Sequence, residues 1–343
     1  METEVLIEGV TDVLTVPNLD YNSRNSTWNY LNGLGSDMQT VIEGASPSQK
    51  DVIQPIIYDE FGMRTRQYLS YTVSQPSKAG NYRDEPEQET LDFYNNPPPG
   101  VAGTAFPFSE TVFDTSPQNK VLEQASPGED WEVSTGRTVK INATTNSSTD
   151  LLDWRISGNQ LITSAYYPTA QAKKSVTTNE DGEVVNMYKD MLGRELMQQI
   201  LMQSGAITTY FVYNDRGSLL YRITPKVIEN LSGGLPYTID HNTIINECYS
   251  YKYDQQERLI EEKWPDKEAV FYVYDTWDRP VLSQTGNLRS INQWSFTKYD
   301  RFNRPVLSGL YSASSALTQA QMQAEVDAFY SSSGSSRYES YGG

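Results

Sequence analysis

The chain has 343 residues, of which 37% are hydrophobic, and 44 acidic against 27 basic residues give it a net charge of −17. Nucleic acids and anionic membranes are bound through basic surfaces, so the acidity excludes both as expected partners. Only one cysteine, Cys248, and one histidine, His241, are present, which excludes an internal disulfide and a zinc site built from cysteine and histidine. We expect neither a cofactor nor a metal.

Export and membrane signals are missing from the sequence as given. No run of about 18 apolar residues is present, so membrane insertion is not expected. The first residues, METEVLIEGVTD, lack the basic region and the apolar core of a signal peptide. We interpret the chain as an internal fragment of a longer polypeptide.

The aromatic residues are skewed towards tyrosine, with 24 Tyr against 10 Phe and 6 Trp. Tyrosine is favoured on half-buried sheet surfaces, where its ring packs and its hydroxyl reaches water. This composition predicts an all-β protein with much solvated sheet surface.

A turn pattern recurs along the chain. An Asp or Asn is followed three positions later by Gly or a substitute, and in seven of eight cases a Tyr precedes it by one or two residues. The residues of the pattern, in chain order, are Tyr30, Asn32, Gly35; Tyr58, Asp59, Gly62; Asn179, Gly182; Tyr188, Asp190, Gly193, Arg194; Tyr213, Asn214, Gly217; Tyr253, Asp254, Glu257, Arg258; Tyr274, Asp275, Asp278, Arg279; and Tyr299, Asp300, Asn303, Arg304.

Each unit of this pattern predicts a β-hairpin. An Asp or Asn at the first turn position can bond the backbone two residues on, and Gly three positions later can adopt positive φ. Asp278 and Asn303 are tolerant substitutes for that glycine, whereas Glu257 is not and predicts the weakest hairpin. The arginines open the outgoing strand, where their donors could reach the turn carboxylate.

Two nearly duplicate stretches show that the unit is structural. YVYDTWDRPVLSQTG (272–286) and TKYDRFNRPVLSGLY (297–311) share the same pattern. Catalytic motifs are rarely duplicated, whereas stacked repeats are. Further reversals between the turns imply strands of about seven residues, as in 208–213, 269–274 and 293–299.

Three regions follow from these patterns. Residues 1–150 form an irregular amino-terminal region whose acidic, proline-rich insertion (76–108) contains a short helix over 85–94. Residues 151–311 form the hairpin array. Residues 312–343 contain a helix over 316–330, with a Thr318–Gln321 capping box, an apolar face (Met322, Val326, Phe329) and a flexible tail.

The Tyr-Asp-x-x-Gly-Arg unit resembles the YD repeat of RHS (rearrangement-hotspot) proteins. Residues 30–63 (YLNGLGSDMQTVIEGASPSQKDVIQPIIYDEFGM) and 108–131 (FSETVFDTSPQNKVLEQASPGEDW) resemble the amino-terminal region of RHS proteins of the Bacteroidota type. The resemblance implies an antiparallel hairpin sheet that spirals into a hollow shell around a carboxy-terminal toxin. It also implies a secreted or cell-surface bacterial protein.

Enzyme and metal hypotheses are weaker. A Cys-His pair would need His241 to meet Cys248, and the seven-residue spacing does not require it. Carboxylate pairs for glycoside hydrolysis are abundant by chance in an acidic chain. Residues 179–183 (NEDGE) lack the full spacing of a calcium loop, so a solvated turn is preferred.

The leading prediction is therefore a non-enzymatic segment of an RHS-type shell, whose partners are the rest of the shell and its toxin. Open sheet edges predict self-association. The alternative is an extracellular adhesin or carbohydrate-binding module, with glycans held on Trp154, Trp264, Trp277 or Trp294. Glycosylation sequons at Asn25, Asn142, Asn146 and Asn230 matter only in a eukaryotic secretory route.

Overall fold

The computed structural model describes residues 2–6, 15–16, 19–20, 23–73, 80–133, 135–332 and 336–339. The structure is mostly β, with antiparallel sheets and few helices, which confirms the predicted fold class. It divides into two compact units, residues 1–142 with 176–184 (unit 1) and residues 143–175 with 185–343 (unit 2).

Unit 1 contains two groups of antiparallel strands. Five strands pair in the order β1-β2-β3-β4-β6, and β5, β7, β8 and β9 are successive neighbours in a second sheet. The strands are β1 Glu2–Val5, β2 Arg24–Leu31, β3 Asp37–Ile42, β4 Val52–Pro55, β5 Arg66–Tyr68, β6 Tyr71–Thr72, β7 Phe108–Phe113, β8 Val121–Ala125 and β9 Val139–Thr145.

The helix predicted over 85–94 is confirmed as α1, Pro86–Asn95, with proline in its first turn. Proline fits there because the first helical N–H groups have no intrahelical partner. Phe93 and Tyr94 of α1 pack on the buried cluster of Val41, Ile53, Tyr71 and Val73. Residues 76–79 of the predicted insertion lie outside the described residues. A 3-10 helix, Glu129–Trp131, follows β8.

Unit 2 carries the hairpin array. Its strands follow one another in the order β23-β22-β21-β20-β19-β18-β16-β15-β14-β13, and β10-β11-β17 form a separate small sheet. The strands are β10 Arg155–Ser157, β11 Gln160–Thr163, β13 Val184–Lys189, β14 Glu195–Met202, β15 Gly205–Tyr213, β16 Leu219–Ile223, β17 Tyr237–Ile239, β18 Tyr249–Tyr253, β19 Leu259–Lys263, β20 Val270–Tyr274, β21 Pro280–Gln284, β22 Gln293–Tyr299 and β23 Pro305–Ser312; β12, Lys173–Thr178, precedes the turn at Asn179.

The strands predicted over 208–213, 269–274 and 293–299 are confirmed by β15, β20 and β22. Pro280 and Pro305 are the first residues of β21 and β23. Proline is accepted at the first residue of a strand because no ladder bond from its nitrogen is needed there.

The main core of unit 2 lies between the array and the short elements that cover it. Buried side chains of the array, among them Met197, Tyr210 and Ile223, pack with Leu161 of β11 and Ile244. Ile244 belongs to α3, His241–Glu247, which follows α2, Pro225–Glu229. Full burial of one such aliphatic side chain contributes about 1.5–3 kcal/mol.

The predicted carboxy-terminal helix is confirmed as α5, Gln319–Ser331, with a capping box between Thr318 and Gln321. Met322 is buried against Val273 and Trp294. The predicted apolar face is only partly used, because Phe329 is 57% exposed. A shorter helix, α4, Gly286–Arg289, precedes β22. No helix among the described residues is long and apolar enough to cross a membrane.

Candidate functional site

The recurring turns have one shared geometry. In each, the first residue's N–H donates to the carbonyl of the fifth residue, and the fourth residue's N–H donates back to the first carbonyl. The first side chain accepts from the N–H groups of the third and fifth residues. In the turn that starts at Asp190, Oδ1 lies 2.9 Å from the nitrogens of both Leu192 and Arg194. The same four bonds occur in the turns that start at Asn32, Asp59, Asn179, Asn214, Asp254, Asp275 and Asp300.

The fourth position always adopts positive φ, whatever residue occupies it. Gly193 has φ +86°, and Glu257, Asp278 and Asn303 have φ of 61°, 60° and 61°. Strand register shifts by one residue at the tyrosine that precedes each of four array turns: Tyr213, Tyr253, Tyr274 and Tyr299. These are hairpin turns with a following bulge.

The turn at Asp59 departs from the hairpin prediction. Its four bonds are present, but β4 pairs with β6 and β5 pairs with β7, so the turn does not join two paired strands. The prediction of a hairpin there was wrong because the turn bonds are local, whereas strand pairing is decided by tertiary packing.

Two further turns of unit 1 escaped the sequence pattern. At Ser46 the hydroxyl replaces the carboxylate, and Lys50 N–H donates to Ser46 Oγ over 2.8 Å. At Asp114 two extra residues lengthen the turn, so that Lys120, and not the fifth residue, closes it. Both contain a residue at positive φ, Gln49 and Asn119. A search that allowed serine and a longer spacing would have found them.

Four array turns are closed by an arginine fork. Nε of Arg194, Arg258, Arg279 and Arg304 lies 2.6–2.7 Å from Oδ2 of the first residue of its own turn. Burial acts to raise the pKa of Asp190, but the bonds and charge of Arg194 outweigh it, so the pKa is lowered. The pair of Asp275 and Arg279 is the most buried, with side chains 0% and 9% exposed.

The arginine of one turn also contacts the tyrosine of the next. The guanidinium carbon of Arg194 lies 5.2 Å from the ring centre of Tyr213. The corresponding distances are 4.9 Å from Arg258 to Tyr274 and 5.0 Å from Arg279 to Tyr299. Contacts of this kind contribute about 0.5–2 kcal/mol, more when desolvated. Burial raises the pKa of all three phenols.

A second contact joins the fifth residue of one turn to the fourth residue of the next. Arg258 Nη1 lies 2.9 Å from Asp278 Oδ1, and Arg279 Nη1 lies 3.2 Å from Asn303 Oδ1. With the arginine–tyrosine contacts, these bonds join turn 190 to turn 214 and turn 254 to turns 275 and 300. Turns 214 and 254 are joined through Glu257, as described next, and we term the five joined turns the turn ladder.

The preceding turn, at Asn214, explains why a glutamate occupies the fourth position of turn 254. Turn 214 has Ser218 where the other turns of unit 2 have arginine, and the Ser218 hydroxyl donates to Glu257. Arg216 Nη1 lies 2.6 Å from the other oxygen of Glu257. The bond from Ser218 and then that from Arg216 lower the pKa of Glu257. The strained residue therefore completes the ladder at the one step where the arginine is missing.

Three of the four remaining tyrosines of the pattern are hydrogen-bonded elsewhere. Tyr188 donates to Asp150 Oδ2 over 3.1 Å. In unit 1, Tyr30 donates to the carbonyl of Gly80, and Tyr58 accepts from Arg64 over 3.0 Å. Tyr253 ends β18 and is half-buried.

The enzyme and metal candidates lie in structural environments. Cys248 is fully buried at the end of α3, and burial raises the pKa of its thiol to about 11. His241 is exposed in the first turn of that helix. Within the described ranges no three His, Cys, Asp or Glu side chains are grouped to hold a metal. Asn179 bonds the backbone of Asp181 and Glu183.

Two of the four tryptophans proposed to hold glycans in the adhesin alternative are buried. The alternative needs exposed tryptophans, but Trp154 and Trp294 are only 8% and 0% exposed and lie in the core, the placement that we preferred for them from the sequence. Trp277 packs edge-on against Tyr330. Trp264 is exposed, with the ammonium of Lys267 at 4.6 Å from its ring centre.

One sequon asparagine is also structural. Asn146 is 2% exposed, and its amide nitrogen lies 3.0 Å from the carbonyl of Pro168. Its oxygen accepts from Ala172 N–H over 2.9 Å. An asparagine held in this way is not accessible to a glycosylating enzyme.

The fold and the turns define a β-hairpin repeat protein. Residues 3–145 match a family described as a domain of unknown function, DUF6443. The curated proteins contain no match to the chain.

Solved structures of toxin complexes are similar at low identity. The crystal structure of TcdB2-TccC3-TEV aligns at a TM-score of 0.48 and 11% identity, over 89% of this chain and 14% of that chain. The Tc holotoxin pore of Photorhabdus luminescens aligns at 0.47 and 11%, with the same coverage. Similarity at this level does not assign a function to this chain.

Proposed function

We propose that the chain is a non-enzymatic wall segment of an RHS-type β shell, which encloses a toxin or other effector that this chain does not contain. The observation that carries the proposal is the turn ladder, in which five hairpins at one end of one sheet are joined side by side. A repeated side chain that closes its own turn and contacts the next serves geometry, not catalysis.

The ladder suits a wall for a physical reason. A protease needs a locally unfolded stretch of backbone, and the frequency of opening is set by local stability. Hairpin ends are the natural place for a sheet to fray. Arg258 and Arg279 tie each end both to its own carboxylate and to the following turn. Opening one turn therefore breaks the bonds within that turn and also its bonds to the following turn.

The role of a wall segment also implies what surrounds the chain and where the assembly is located. Containment needs an effector within a longer polypeptide or complex, and neighbouring wall segments on both sides of this one. We expect a secreted or surface-exposed assembly of bacterial origin. The adhesin alternative has less support, because two of its four tryptophans are buried and Trp277 packs edge-on against Tyr330.

The test is limited proteolysis of the natural polypeptide that contains this chain, purified intact. We expect a protease-resistant fragment from outside residues 1–343 that becomes sensitive when Arg258→Ala and Arg279→Ala are combined. Arg301→Ala is the matched control, because Arg301 is an exposed arginine in turn 300. Equal digestion of all regions in the unmodified protein would overturn containment. Specific hits on a glycan array would favour the adhesin instead.

A further inference from the structure

The last arginine of the turn ladder differs from the others. Arg304 closes its own turn on Asp300, but its side chain is 70% exposed, against 20% for Arg258 and 9% for Arg279. Arg258 and Arg279 are covered by the tyrosine and the fourth residue of the next turn. Within the described residues, the only ring near the guanidinium of Arg304 is that of Phe302 in its own turn.

Among the described residues, the strand that follows Arg304 is paired on one side only. β23 pairs with β22 on one side and is the last strand in the order of its sheet among the described residues. Its side chains Leu307, Leu310 and Tyr311 are 51%, 58% and 45% exposed. A long, apolar, exposed edge is a template for another strand, because its N–H and C=O groups lack partners.

We infer that the outer edge of β23, together with the guanidinium of Arg304, is a docking site for a further tyrosine-flanked hairpin that carries Asp or Asn at its fourth turn position. The inference names a partner for the proposed wall segment and rests on that proposal. Each element of the predicted partner is taken from a step of the ladder that is filled.

The chemistry of the partner is read from those filled steps. A tyrosine ring lies over the guanidinium at all three steps led by arginine. At two of them an acid or amide also accepts from Nη1, as Asp278 does for Arg258. Where the fifth residue is serine, the fourth residue is Glu257, which accepts from the hydroxyl and from Arg216. After turns 214, 254 and 275, the fourth residue of the next turn is thus a side chain that accepts a bond from the turn before it.

The experiment measures binding of a cyclised peptide with the sequence of residues 293–307 (QWSFTKYDRFNRPVL) to the full 343-residue chain. In this peptide Tyr299 and Asn303 supply the two groups that cover Arg279 inside the protein. Cyclisation is needed because an isolated hairpin is only marginally stable in water. Isothermal calorimetry or surface plasmon resonance gives the dissociation constant.

Changes in the peptide leave the folding of the protein untouched. Asn303→Lys in the peptide should weaken binding about tenfold, the value of one charge-assisted bond. Phe302→Lys adds the same charge one residue away and should change binding less than about threefold. Asn303→Asp should bind more tightly than the parent peptide, since Asp278 fills that place beside Arg258.

A charge exchange completes the test. The Arg304→Glu protein should bind the parent peptide about tenfold more weakly and should regain affinity for the Asn303→Lys peptide. Arg301→Glu is the control for the same change of charge in the same turn. No detectable binding of the parent peptide, or equal binding of every peptide, overturns the inference. Either result would overturn the docking site but not the proposed enclosure of an effector. Conversely, equal digestion in the proteolysis test would overturn the enclosure but not the docking site.

Discussion

Units 1 and 2 contain the same type of turn, but among the described residues successive turns are joined to one another only in unit 2. Their turns share the bonds made by the first residue and the left-handed fourth residue. The difference lies at the fifth position, where unit 1 has Ser36, Lys50, Met63 and Glu183 and unit 2 has mostly arginine. Closing a turn therefore needs only an oxygen and a tolerant backbone position. Successive turns of unit 2 are joined by an arginine fork that the next tyrosine covers or, after turn 214, by the bonds of Ser218 and Arg216 to Glu257.

Unit 1 is held together elsewhere. Both oxygens of Asp51 accept from backbone N–H groups, at 2.9 Å from Gly44 and 2.7 Å from Gly80. The carbonyl of Gly80 in turn accepts from Tyr30. A buried carboxylate that bonds two separate segments replaces the repeated clamp of unit 2. We therefore expect the most destabilising substitutions to lie at the repeated turns in unit 2 and around Asp51 and Gly80 in unit 1.

The largest effect is expected in the ladder of unit 2. Arg279→Ala leaves the buried carboxylate of Asp275 without its fork, and losing one partner of a buried ion pair costs about 3–5 kcal/mol. Urea denaturation should give a loss of this size, and hydrogen exchange should place it in β20 to β23 rather than in unit 1.

Arg301→Ala is the control, because it removes an exposed arginine from the adjacent turn and should cost less than about 0.5 kcal/mol. Equal losses for the two variants would show that the fork and the ladder contacts of Arg279 add nothing to stability.

The next effect is expected in unit 1. A Cβ at Gly80 would lie 2.3 Å from Trp28 Nε1, and Gly80 has φ +76°. Gly80→Ala combines overpacking, about 1–3 kcal/mol, with a left-handed alanine, about 1–2 kcal/mol. We expect a loss of about 2–4 kcal/mol, with increased hydrogen exchange in β2 to β4. Unchanged exchange in those strands would contradict the packing of Gly80 against Trp28.

A smaller effect is expected at an open glycine of unit 2. Gly193 has φ +86°, and a Cβ there would meet nothing within 4 Å. Gly193→Ala should therefore cost only the backbone term, about 1–2 kcal/mol. Gly193→Asn should cost less, since Asn303 holds the same conformation in turn 300. If alanine and asparagine cost the same, the left-handed conformation is not what the fourth position selects.

The turns could be predicted from sequence because their bonds join residues at most four apart. The pairing of strands could not always be predicted, as the turn at Asp59 shows. Glu257 appeared unsuitable because its partners, Ser218 and Arg216, lie about 40 residues earlier in the chain. The segment between them includes α2, β17 and α3, none of which the turn pattern predicts. Local chemistry thus specified the hairpins, whereas the contacts between hairpins required the structure.

The smallest predicted effect is on the pH dependence of stability, and it tests the charge of the Asp190–Arg194 pair. The pKa of Asp190 is lowered in the folded protein from its ordinary value of 3.8. A lowered pKa means that the carboxylate contributes stability above about pH 4, and that this contribution is lost as the pH falls through the folded-state pKa.

Asp190→Asn should keep the bonds to the turn backbone, because Asn214 makes the same bonds in the next turn. It should lose the charge of the fork, at a cost of about 1 kcal/mol near neutral pH. Urea midpoints measured from pH 6 to pH 2.5 should therefore converge for the variant and the parent protein at the acid end. Asp181→Asn, in the turn at Asn179 of unit 1, is the control and should leave the acid dependence of unit 2 as it was. A constant difference between Asp190→Asn and the parent at every pH would show that the fork acts by shape and not by charge.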